Sequence, residues 1–119
     1  MSNPSKTHPL RGEVYWLDFD PSTGAELRGI HPCIVVQNDR GNRVGMLTIV
    51  VAVTGNLKLA RLPIAVLIPA GVGGLKKDSI ANCGQIYTID QSRLGARIGM
   101  LPTTLMMQVD QAIRTSLDV

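Results

Sequence analysis

The amino-acid sequence predicts an α+β fold, mostly β: a small, strongly bent sheet or barrel closed by one C-terminal amphipathic helix. Three observations predict it. Short runs rich in β-branched and aromatic residues recur, separated by Pro, Gly, Asn and Asp clusters. One such run, Met46 to Val53, is almost wholly apolar, as expected of a strand covered on both faces. From Pro102 onward the apolar spacing changes to threes and fours.

Each element follows from local chemistry. Glu13 to Phe19 roughly alternates and reads as the first strand. Asp20 to Gly24 is a turn, because proline presets one dihedral and glycine accepts the positive one. Pro32 to Val36 reads as a buried strand, and Asn38 to Asn42 as a second turn. Met46 to Val53 forms the central strand, ended by Thr54-Gly55-Asn56. Lys58 to Arg61 is a polar connector. Leu62 to Ile68 is an edge strand, with Pro63 at its entry. A loop over Pro69 to Gly74 leads to a strand over Ser79 to Ile89, interrupted near Asn82 and Gly84. Asp90 to Leu94 gives one helical turn and Arg97 to Leu101 a last strand. The helix starts at Pro102 or Thr103, and Leu105, Met106, Val109, Ala112, Ile113 and Leu117 form its apolar stripe.

A length of 119 residues with 45% apolar content supports one real core. The expected organisation is a flexible N-terminal arm over residues 1–10 and a single domain over 11–119. Charged residues at 18% argue against a disordered chain. The net charge of +3 and pI near 9.2 fit a polyanion partner without requiring one. Cys33 and Cys83 make neither a disulfide framework nor a metal site. Both read as reduced thiols, which suggests a cytoplasmic protein. The polar N-terminus has no signal-peptide core, and no apolar run is long enough to cross a bilayer.

Chemistry-bearing residues concentrate between Arg11 and Asp39. One charged, glycine-bearing loop and its exit carry Asp20, Glu26, Arg28 and His31 within a dozen residues. The loop from Asp20 to Ile30 holds Gly24 and Gly29 and little apolar anchorage, so it is expected to be mobile when unbound.

The ordered set RGEVYWLDFDPSTGAE, G-x-H-P-x-x-V-x-Q-N-D, a strand ending Val53-Thr54, and Gln85-Ile86-Tyr87-Thr88-Ile89-Asp90 resembles the MazF/PemK family of toxin endoribonucleases. The resemblance runs in order from Arg11 to the terminal helix. It implies an SH3-like β-barrel, a homodimer, and cleavage of single-stranded RNA at short sequences with no metal or other cofactor. The implied products carry a 2′,3′-cyclic phosphate or 3′-phosphate and a 5′-hydroxyl. The implied partner is a cognate antitoxin with an acidic, partly disordered tail. By position, the resemblance carries over Arg11, Glu26, Thr54 and Gln85. It departs at His31, where the family has a catalytic arginine, and at Ala25, where it has a small polar residue.

Cleavage by a 2′-hydroxyl needs a base, a donor or cation for the phosphorane, and an acid for the leaving oxygen. His31, Thr54, Arg28 and Glu26 are the catalytic candidates. Imidazole serves as base or acid more readily than arginine, so His31 is expected to take over proton transfer while Arg28 supplies fixed charge. The plainer reading is a tolerated strand-entry histidine in a weak or inactive enzyme. Thr54 offers a hydroxyl to a phosphate oxygen beside the unobstructive Gly55, although a threonine ending a strand is commonplace. A loop glutamate such as Glu26 is usually just solvated, and the scattered cations Arg11, Lys58 and Arg61 are usually ordinary surface charge. With Gln85, these three and Phe19 are the RNA-binding candidates, Phe19 as a base-stacking ring. Two rival readings remain. One is a CcdB-like toxin that binds gyrase, disfavoured because the tail Ser116 to Val119 lacks a tryptophan. The other is a catalytically impaired module that binds RNA or antitoxin.

Overall fold

The computed structural model describes residues 8–21, 24 and 27–119. Six strands pair antiparallel throughout: β1 (Glu13–Asp18), β2 (Ile30–Val35), β3 (Leu47–Thr54), β4 (Ala65–Ile68), β5 (Ser79–Asp90) and β6 (Arg97–Met100). Their order across the sheet is β4-β5-β3-β2-β1-β6. The sheet curls into a half-barrel, and helix α2 (Thr103–Leu117) packs against it. This is the bent, mostly β architecture that the alternating runs predict.

Strand alternation splits the core in two. Val14, Ile34, Val51 and Val53 point to the face covered by Met106, Val109 and Ala112 of α2. Tyr15, Leu17, Phe19, Cys33, Val35, Val50 and Ala52 point to the other. Both faces of β3 are therefore buried, which is why its sequence is continuously apolar rather than alternating. Each fully buried Val, Leu or Ile contributes about 1.5–3 kcal/mol. Leu117, expected in the helix stripe, is 56% exposed at the last turn.

Glycines allow the curl to close. The chain leaving β4 crosses to β6, where Gly73 and Gly74, both at positive φ, lie directly on Gly99 and Ile98. A Cβ on Gly99 would collide with the Gly73 carbonyl and meet the Gly74 nitrogen at 3.0 Å.

The turn expected at Asn38–Asn42 is instead a short helix, α1 (Asp39–Val44). Asn38 caps it by accepting from the Gly41 amide at 2.7 Å. Asn42 is wholly buried; its Oδ1 accepts from Gln37 Nε2 at 2.8 Å and from Thr48 Oγ1 at 2.6 Å. Tertiary anchorage overrides the weak helix propensity of this segment. The expected edge strand Leu62–Ile68 shortens to Ala65–Ile68, because residues 62–65 close a turn in which the Ala65 amide donates to the Leu62 carbonyl at 3.0 Å.

Residues 1–7 of the expected arm lie outside the described residues. At its end Pro9 is buried, and the Leu10 amide donates to Glu13 Oε1 at 2.7 Å. Glu13 is 2% exposed and also receives the Tyr15 hydroxyl at 2.8 Å and Arg97 Nε at 2.6 Å. Both cysteines are free thiols, one in each core. Burial pushes Cys33 up to about 12, and burial with nearby Asp110 pushes Cys83 up to about 11. Among the described residues no helix is long and apolar enough to cross a membrane.

Candidate functional site

The face opposite α2 is left partly open at one end, where β2 starts and β3 stops. Continuing the register Cys33↔Ala52 by two residues sets His31 opposite Thr54, on the same face as both. Each is half-buried. Beside them opens a cavity of about 470 Å³, lined by Gly24, Leu27, Arg28, Ala52, Thr54, Asn56, Leu59, Asn82 and Gln85. That size lies within the range of small-ligand sites, roughly 300–1,000 Å³.

Three expected site residues, Arg28, Thr54 and Gln85, converge on this cavity. His31 stands next to it, outside its lining. The His31 ring nitrogen Nε2 lies 2.7 Å from the Arg28 carbonyl oxygen. A carbonyl oxygen only accepts, so Nε2 carries the hydrogen, and in the neutral ring Nδ1 keeps the lone pair. Thr54 Oγ1 accepts from the Asn56 amide at 3.2 Å, which leaves its own hydrogen to donate. Gln85 Oε1 accepts from the Leu27 amide at 3.1 Å and from the Tyr87 hydroxyl, tying the loop end to β5. The base of the same loop is fastened by Phe19 N to Gly29 O at 2.9 Å and Gly29 N to Asp20 Oδ1 at 3.2 Å. Glu26 lies outside the described residues, as do residues 22, 23 and 25 of this loop.

Two RNA-binding candidates are placed elsewhere. Arg11 serves the α2 side of the molecule: it pairs with Asp110 and donates from Nε to the Val36 carbonyl at 3.0 Å. It lines a separate groove with Ile113 and Arg114, and so ties the helix to the sheet. Phe19, expected to stack on a base, is 5% exposed. It packs T-shaped against Tyr87 at 5.1 Å between centroids and against His31 at 6.4 Å. Lys58 and Arg61 are exposed on the 3₁₀ turn whose Leu59 helps wall the cavity.

The cavity also contains residues that sequence reasoning missed. Asn82 and Gln85 are three apart and would face opposite ways in a regular strand. The ladder jumps here: Val51 pairs Ile86, but Ala52 pairs Asn82, and Cys83 to Gln85 bulge out unopposed. The bulge reverses the alternation and turns both amides into one cavity. The break at Asn82 and Gly84 is visible in the sequence, but which way it turns the side chains is not. Asn56 enters by capping the 3₁₀ turn, its Oδ1 accepting from the Lys58 amide at 3.2 Å. Among the described residues no three His, Cys, Asp or Glu side chains cluster as a metal site.

Residues 10–117 match the family described as PemK-like, MazF-like toxin of type II toxin–antitoxin system. The chain is 42% identical over 107 residues to endoribonuclease EndoA of Bacillus subtilis, covering 90% of this chain and 92% of that one. A solved mycobacterial endoribonuclease in complex with its cognate antitoxin superposes with a TM-score of 0.78 at 25% identity, covering 93% of this chain and 96% of that one. MazF from Deinococcus radiodurans shares the fold, with a TM-score of 0.81 at 24% identity over 96% of this chain and all of that one.

Proposed function

Because the chain belongs to the PemK-like, MazF-like toxins of type II toxin–antitoxin systems, we propose that it is a sequence-specific endoribonuclease that cuts single-stranded RNA by its own side chains, without a metal. The convergence of Arg28 and Thr54 on one cavity, with His31 fixed beside it, carries this reading. His31 Nδ1 moves the proton: as a lone pair it takes hydrogen from the attacking 2′-hydroxyl, and as the cation it returns one to the departing 5′-oxygen. Thr54 donates to a non-bridging phosphate oxygen, and the exposed Arg28 guanidinium neutralises the charge that builds there. The products are a 2′,3′-cyclic phosphate, or the 3′-phosphate from its hydrolysis, and a 5′-hydroxyl.

The partners follow from the same surface. The exposed Arg28 lines the cavity and the exposed Lys58 and Arg61 sit on the 3₁₀ turn whose Leu59 walls it, cations for which an antitoxin's acidic, partly disordered tail would compete with RNA. Val44 and Met46 are 73% and 76% exposed, apolar surface that a twofold partner would cover in a homodimer. Two unpaired, buried thiols suit the reducing cytoplasm.

Incubating the purified protein with naked single-stranded RNA and EDTA tests the function. Discrete cuts are expected. A mobility shift without cuts would make the chain an RNA-binding module disabled at His31. The absence of both cuts and a shift would overturn the nuclease reading.

A further inference from the structure

The sequence-reading part of this site is a separate question from its chemistry. Asn82 Oδ1 accepts from the Gly84 amide at 2.9 Å, within its own bulge. Asn56 Oδ1 accepts from the Lys58 amide at 3.2 Å. Backbone N–H groups only donate, so both side-chain amides are oriented: each carbonyl is turned inward to the backbone, and each NH₂ is the edge left to offer. Both side chains line the cavity. Its remaining walls include Leu27, Ala52 and Leu59, apolar surfaces suited to the face of a flat ring.

We infer that Asn56 and Asn82 form a nucleobase-selecting subsite that prefers a keto base, guanine or uracil, over an amino base, adenine or cytosine, at one position of the cleaved RNA. This rests on the endoribonuclease reading above. A keto base presents an exocyclic oxygen acceptor, whereas an amino base presents an NH₂ donor in the same place. Two donor-presenting amides accept the first and repel the second. The common pairing of asparagine with adenine uses both amide edges, and here the oxygen edge is already engaged. A phosphate would also take these donors, but it gains nothing from the leucine walls.

Substitution by aspartate isolates the effect. In Asn82→Asp one carboxylate oxygen keeps the Gly84 amide, and only the outward edge changes from donor to acceptor. Asn56→Asp likewise keeps the cap on Lys58, since aspartate caps as well as asparagine. Cleavage sites are mapped on a randomised RNA pool for the wild type and each variant, and base preference is taken as a ratio within each reaction, so a general loss of rate cancels. The expected result is a shift of about tenfold or more from keto toward amino bases at a single, shared position, with other positions unchanged. Superimposable profiles would overturn the subsite, as would a uniform fall at all sequences, which marks a phosphate contact. A wild-type protein that cuts no RNA would overturn the nuclease reading itself and the subsite with it.

Discussion

His31 hands its Nε2 hydrogen to the Arg28 carbonyl oxygen across 2.7 Å. One bond thus fixes the tautomer and holds the ring against the backbone of Arg28, a residue that lines the cavity. His31→Ala is expected to lose more than tenfold in cleavage with the fold intact. His31→Arg restores the residue type the family uses and is expected to keep part of the activity. Initial rates on an RNA of mapped cleavage site check both. Unchanged cleavage by His31→Ala would remove the imidazole from the chemistry.

Thr54 is half-buried, and its hydroxyl oxygen accepts one hydrogen bond, from the Asn56 amide. Thr54→Val keeps the shape and removes the donor. Cleavage is expected to fall by about 100-fold, the usual scale for one donor to a developing charge. Thermal unfolding should move little. A variant that cuts at the wild-type rate would refute the role.

Much of this was legible before the fold was known, and the exceptions share a cause. The unbroken apolar run from Met46 to Val53 revealed the two-sided burial of β3, and the spacing of Met106, Val109 and Ala112 revealed the face of α2. Arg28, Thr54 and Gln85 were legible because the order of motifs along the chain is tied to the ends of particular strands. Asn82 was not: the interruption near Asn82 and Gly84 is legible, but the change of parity that brings Asn82 to the cavity is not. That Arg11 and Phe19 lie outside the cavity lining is illegible for a related reason. Residue type suits each to RNA, but only tertiary structure shows that Asp110 and Tyr87 have already engaged them. Helix α1 is not legible in the sequence because its support, the buried Asn42 against Gln37 and Thr48, comes from outside the helix.

The closure of the curled sheet depends on absent side chains. Gly99→Ala places a Cβ against the Gly73 carbonyl, which is backbone and cannot swing aside. A loss of about 1–3 kcal/mol is expected, as for other overpacked sites. Urea unfolding measures it. An unaffected midpoint would mean that the Gly73–Gly99 contact is looser than described.

Alkaline pH provides a separate test of the two cores. The thiols of Cys33 and Cys83 ionise near 9 when unfolded but only at about 12 and 11 in the fold. Above pH 9 the unfolded chain therefore binds fewer protons than the native one, so stability is full below 9 and declines as pH rises toward 11 and 12. The unfolding midpoint is expected to fall between pH 8 and pH 10. Replacing both cysteines with alanine should flatten that fall, even though it lowers stability at pH 8. An equally steep decline in the double variant would contradict the assignment.

The central claim is that the substrate's own 2′-hydroxyl attacks, with His31 and Thr54 attending one phosphate. The most direct measurement uses a short RNA of mapped cleavage site, with the nucleotide 5′ to the scissile phosphate replaced by its 2′-deoxy form, in EDTA. The unmodified RNA should give a 2′,3′-cyclic phosphate and a 5′-hydroxyl, and the deoxy substrate should stay whole. Cleavage of the deoxy substrate, or 5′-phosphate ends from either, would contradict the account.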